Sequence, residues 1–205
     1  MAANCKSYWQ YVWYYPILIV GLFVFYSFLY SALEELDVLV VASASMAVFI
    51  TAIVFLYASV QVFPMTLQFG SMRKASIGAL SVVELLWGIA MPLVLAACIG
   101  LLRGSAATAL FIQILPVYIP VQFLAASGGG LLGFAVMRLR KVMRVVSFVL
   151  FFVLLFGCFM LFMPMLTRKL SGVPAEVSVL PVVIAVLLAA AGFFGEWLAA
   201  RKYSV

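Results

Sequence analysis

The sequence predicts an all-α integral membrane protein, and three observations carry that prediction. Hydrophobic residues fill 68% of the 205 positions and charged residues only 9%, with a mean hydropathy of +1.30, a composition foreign to a water-facing globular surface. Apolar runs recur between clusters of charge, and each is long enough for a hydrocarbon core of about 30 Å, which needs roughly 20 apolar residues per helix. The alternating ten-residue segments of a membrane barrel are absent. Because lipid offers no partner for a backbone group, each run is expected to be helical.

Six spans follow, making one transmembrane domain over residues 1–205: Tyr14 to Leu33, Val38 to Val60, Ile77 to Leu102, Ala106 to Met137, Val142 to Leu166 and Val179 to Ala200. An even number places both termini on one side, and basic residues are retained in the cytoplasm. With the termini inside, Lys6, Arg73, Lys74, Arg138, Arg140, Lys141, Arg144, Arg201 and Lys202 are cytoplasmic, and Arg103, Arg168 and Lys169 are outside. The net charge of +6 is therefore a matter of topology, and no soluble basic domain is present to bind nucleic acid.

The first apolar run is too long for a signal-peptide core and reads as an uncleaved span. Residues 1–13 lead into it. Tyr8, Trp9, Tyr11, Trp13, Tyr14 and Tyr15 suit the headgroup layer, either as a short interfacial helix or as a simple aromatic belt. Cys5 is expected in the reducing cytosol and Cys98 and Cys158 within spans, so no disulfide framework is implied.

Enzyme chemistry finds little to work with. There is no histidine, no CxxC and no carboxylate pair at a sequence spacing suited to a metal or to acid–base catalysis. The glycines of Ser127 to Gly133 lack the Lys-Ser or Lys-Thr that would complete a phosphate loop. They read instead as a packing surface, with Gly129 and Gly133 four apart so that a neighbouring backbone can approach. Pro116 and Pro120 are expected to kink the fourth span.

Two acids interrupt apolar runs, Glu84 in the third span and Glu196 near the end of the sixth. A charge near the bilayer centre costs on the order of 2.5 to 3.5 kcal/mol on insertion scales, so such residues call for a partner or a function. Structural pairing is the favoured reading, of Glu84 with Arg73, Lys74 or the Arg138 to Arg144 cluster, and of Glu196 with Arg201 or headgroups; proton coupling is the other. Phe25, Phe55, Trp87, Phe123 and Met160 either line an adaptable path for a cargo or simply face lipid and other helices.

The segment between the second and third spans, residues 61–76, carries the functional expectation. Within it Phe63, Leu67 and Phe69 are apolar while Gln68, Arg73 and Lys74 are polar, and Gly70 breaks the run before the third span. Pro64 fits the first turn of a new helix, where its missing donor does no harm. Such a segment either docks in a groove of a soluble partner or lies flat on headgroups.

Phe69 and Gly70, followed by Ser71, Met72, Arg73 and Lys74, place a Phe-Gly pair ahead of Arg-Lys after the second of six spans. That pattern resembles the small permease subunits of exporter-type (type-2) ABC transporters. Met72 departs from it, standing where Ser or Thr is commoner. The resemblance implies that residues 61–76 form a cytoplasmic coupling helix, with Phe63, Pro64, Leu67, Gln68, Phe69, Gly70, Arg73 and Lys74 docking a separately encoded ATPase. Arg138, Arg140, Lys141 and Arg144 then form a second contact or a lipid anchor.

The same resemblance implies ATP and Mg on the partner, with no cofactor or metal on this chain. It also implies a second copy or a related permease, a bacterial cytoplasmic membrane, and an irregular or re-entrant element at residues 167–178, for which an ordinary external loop serves equally. Members of the family resemble exporters of amphipathic or antimicrobial peptides, which sets the expected cargo. A vitamin-capturing importer component and a non-transport scaffold are the alternatives.

Overall fold

The computed structural model describes residues 36–68, 72–138 and 179–201, together with the single positions 10, 21, 145, 146, 149, 151 and 153. Apart from Met72 and a break at Gly104, these residues are helical, and no strand occurs among them. The expected spans Tyr14 to Leu33 and Val142 to Leu166 fall outside this set apart from isolated positions, as do nearly all of residues 1–13 and the whole of 167–178.

Helix α1, Leu36–Tyr57, runs without interruption through a π-helical turn, Ala58–Val62, into the short helix α2, Phe63–Gln68. Pro64 explains the π turn. Its ring crowds the carbonyl four residues back and it has no donor to offer there, so widening the preceding turn relieves the clash. The Phe63 amide accordingly bonds five residues back, to the Ala58 carbonyl. Pro64 thus follows a widened turn of a continuous rod, where the sequence suggested the start of a separate helix.

Helix α3, Arg73–Arg138, has 66 residues, and its backbone leaves helical geometry at Gly104, with φ 79° and ψ −171°. Positive φ is accessible to glycine because it lacks a Cβ. The chain reverses there. Side chains built on Gly100 and Gly88 would press on Thr108 and Phe123, and one on Gly130 would meet Glu84, so the two arms, 73–103 and 105–138, lie antiparallel. The Thr108 hydroxyl donates to the Gly104 carbonyl at 3.0 Å and braces the turn. The second arm keeps helical backbone through Pro116 and Pro120, so the break falls at Gly104 and not at those prolines.

Helix α4, Val179–Arg201, completes the described core. The second arm of α3 lies between α1 and α4. Gly129 and Gly133 admit the backbone of α1 at Ala52 and Leu56, while Gly192 and Gly195 of α4 meet Ser127 and Leu131. Matching rises in residue number on both sides make α1, the second arm and α4 run the same way. The first arm runs against them, with Trp87 beside Thr51 and Ser76 beside Thr66.

The distribution of polarity is inverted relative to a water-soluble bundle. Through α1 and the π turn the buried positions Val40, Ala44, Ala47, Thr51, Phe55, Ala58 and Val62 recur every three or four residues, yet the outer face carries Met46, Phe49, Ile53 and Tyr57. Leu85, Leu86, Ile89 and Leu93 are exposed on the first arm, and Val183, Ile184, Leu187 and Leu188 on α4. Thr51, Glu84, Gln122, Ser127 and Glu196 lie inside. Helices apolar all round belong in a membrane. Among the described residues three helical stretches, Val40–Gln68, Arg73–Arg138 and Val182–Arg201, are long and apolar enough to cross one.

Candidate functional site

Two places collect the residues singled out by sequence: an exposed corner where α2 meets α3, and a buried polar seam between α3 and α4.

The corner is rooted from within. Phe63 is 0% exposed, and its ring meets Phe134 edge to face, with centroids 4.8 Å apart and planes at 83°. It therefore anchors α2 to the second arm of α3 and is not available to a docking partner. The Thr66 hydroxyl donates to the Phe63 carbonyl at 2.7 Å. Its one proton is then committed, so Ser76 Oγ, at 2.8 Å, donates to Thr66. Pro64 and Leu67 are half-buried, whereas Met65, Gln68, Met72, Arg73 and Lys74 are exposed, Met72 at 80%. Phe69 and Gly70 lie outside the described residues.

The helix directions bring Arg73, Lys74, Arg138 and Arg201 to one end of the molecule, with Arg103 at the other. Arg138 donates to the Ala199 carbonyl at 2.7 Å, tying the end of the second arm to the last turn of α4, where helix carbonyls lack internal donors. The Arg201 guanidinium lies 3.9 Å from the Trp197 ring centre. Arg140, Lys141 and Arg144 are outside the described residues.

Further into the core, Trp87 Nε1 and Gln122 Nε2 both donate to Thr51 Oγ1, at 2.9 and 2.6 Å. One hydroxyl oxygen thereby joins α1 to both arms of α3. Trp87 also meets Phe55 edge to face at 6.1 Å, and both rings are closed off in the core, so neither lines an open path. Phe123 lies against Gly88. Phe25 and Met160 are outside the described residues. Thr51 and Gln122 were not singled out by sequence, although each is a lone polar residue inside an apolar run.

Glu84 from the first arm and Glu196 from α4 are both 0% exposed and approach within hydrogen-bonding reach of each other. Gly130 on the second arm forms the floor beneath them. A Cβ there would collide with Glu196 Oε1 and come within 2.8 Å of Glu84 Oε1. Among the described residues no side chain donates to any of the four carboxyl oxygens. The expected pairings of Glu84 with Arg73, Lys74 or Arg138, and of Glu196 with Arg201, are therefore not the ones formed. The basic side chains lie at the end of the bundle, and the acids reach inward into the space that Gly130 leaves open. The Ser127 hydroxyl, also buried without a partner among the described residues, lies against Gly192 one turn along the same seam.

In comparisons with family models, characterised proteins and solved structures, nothing matches this chain.

Proposed function

We propose that the chain is the membrane-spanning permease subunit of an ATP-driven exporter, gripped by a separate ATPase at the corner from Pro64 to Lys74. One observation carries the reading. The corner is fixed to the core by Phe63 and Thr66 while Met65, Gln68, Met72, Arg73 and Lys74 stand outward at the end where Arg138 and Arg201 gather. Basic residues concentrate on the cytoplasmic side, which makes that end the one an ATPase meets.

The connections also suit a lever. Because α2 continues from α1 and shares a hydrogen bond with Ser76 of α3, a push on the corner reaches both helices at once. ATP and Mg belong to the partner, and a second permease completes the transporter. The apolar exterior and, among the described residues, the lack of an exposed charged site for gripping a metal ion or sugar within the apolar stretches suit an amphipathic peptide as cargo, moved by alternating access.

The test is coexpression with the genomic neighbours. An ATPase is expected to copurify and to hydrolyse ATP faster with amphipathic peptides. Arg73→Glu, at an exposed position, is expected to lower the copurified amount about tenfold or more while the chain stays folded. Undiminished copurification and coupling in that variant would remove the docking claim. Stimulation by a vitamin alone would favour an importer component, and no ATPase at all a scaffold.

A further inference from the structure

We propose that Glu84 and Glu196 form a single proton-binding site, holding one proton between their carboxyls and latching the first arm of α3 to α4. The inference goes beyond the docking reading and involves no partner.

Two carboxyl groups in contact are both acceptors when ionised, so a hydrogen bond between them closes only around a proton. Beyond each other, the described residues offer only the backbone amide of Leu131, beside Glu196. Both side chains are fully buried, they come from different helices, and no side chain among the described residues donates to any of their four oxygens. Gly130 is a cradle that any side chain would fill.

The charged and titratable groups of the surrounding helices are engaged or distant. On the first arm Arg73 and Lys74 are exposed at its start, about 16 Å along the axis from Glu84, and Cys98 and Arg103 lie about 21 and 28 Å the other way. On the second arm Arg138 is bonded to Ala199, and Tyr118 lies about 18 Å along the axis from Gly130. On α4 Arg201 lies over Trp197. On α1 Asp37 stands in the first turn, at the opposite end, and Tyr57 is exposed on the outer face. Among the described residues none offers the pair a countercharge.

With one proton the pair carries a charge of −1 and is joined by a hydrogen bond. Release of that proton to water leaves two carboxylates and −2, and like charges in contact repel strongly in a low-dielectric interior. The first arm and α4 must then part or admit water, and rebinding a proton lets them close. Ser127 Oγ extends the polar lining by one turn, giving an incoming water a partner.

Infrared spectroscopy of the purified full chain in lipid nanodiscs, titrated with pH, tests the site. The wild type is expected to show a protonated-carboxyl C=O band that persists above the range of water-exposed carboxyls, about pH 4. E84Q, E196Q and the double variant are each expected to lose that band. In either single variant the new amide donates to the remaining carboxylate and keeps the chain folded. A band that survives in the double variant would overturn the proposal. So would a wild-type band that vanishes with the exposed carboxyls, a result that needs no variant to fold.

Discussion

The second arm of α3 presents the same glycine-rich stretch to two neighbours and uses it in opposite ways. Toward α1, Gly129 and Gly133 are filled by backbone: a Cβ at 129 would strike the Ala52 carbonyl, and one at 133 would lie 2.7 Å from the Leu56 carbonyl and 2.6 Å from Ser59 Cβ. That seam is closed and stapled by the Thr51 hydroxyl. Toward α4, the space left by Gly130 and Gly192 is filled by the ends of polar side chains, Glu196, Glu84 and Ser127, none with a side-chain partner outside the seam among the described residues. Removal of a Cβ brings helices together in both cases. What fills the gap decides whether the contact is a weld or a joint able to open.

Substitutions separate the two seams. The largest expected effect is from Gly129→Val, because backbone cannot swing aside as a side chain can; overpacking against it is expected to cost about 3 kcal/mol or more, seen as loss of monodisperse folded protein in detergent. Next is Thr51→Val, nearly isosteric, which strands the Trp87 and Gln122 donors in the core. Each stranded donor costs roughly 1–3 kcal/mol, measurable as a drop in thermal midpoint.

Gly130→Ala is expected to be milder, about 1 kcal/mol, because the group it meets is the movable end of Glu196. Its signature is a shifted or lost protonated-carboxyl band, with α1 packing intact. If Gly130→Ala proved as damaging as Gly129→Val, the distinction between weld and joint would fail. The smallest effect belongs to Arg201→Ala at the exposed rim, where loss of the contact with Trp197 is expected to change stability by about 1 kcal/mol or less in an unfolding titration.

How much of this was legible depends on how local the signal is. Gly129 and Gly133 were readable as a close-packing pair because residues four apart share a helix face whatever the neighbour. Glu84 and Glu196 were readable as anomalies, since hydropathy marks any acid in an apolar run. Their mutual contact was not, because it depends on how two distant helices are rotated. The inward direction of Phe63 was not legible for a related reason. A fresh helix start at Phe63 leaves its direction open, whereas the π turn at Ala58–Val62 carries the rod on without a break, so Phe63 follows Val62 on the buried side of the preceding helix. Thr51 and Gln122 went unnoticed because a single neutral polar residue in a long apolar helix is common and gains meaning only from what it touches.

The sequence by itself determined the helical class, the long apolar stretches, the reversal between residues 102 and 106 and the two acids inside the hydrophobic runs, because length, hydropathy and charge are properties of the chain read in order. Tertiary structure alone decided that the acids face each other across Gly130, that Phe63 points inward, and that one threonine oxygen joins α1 to both arms of α3. Each of these depends on the rotation of one helix against another, and in a chain apolar on every face the hydrophobic pattern says almost nothing about that rotation. Close packing and the few polar groups inside set it.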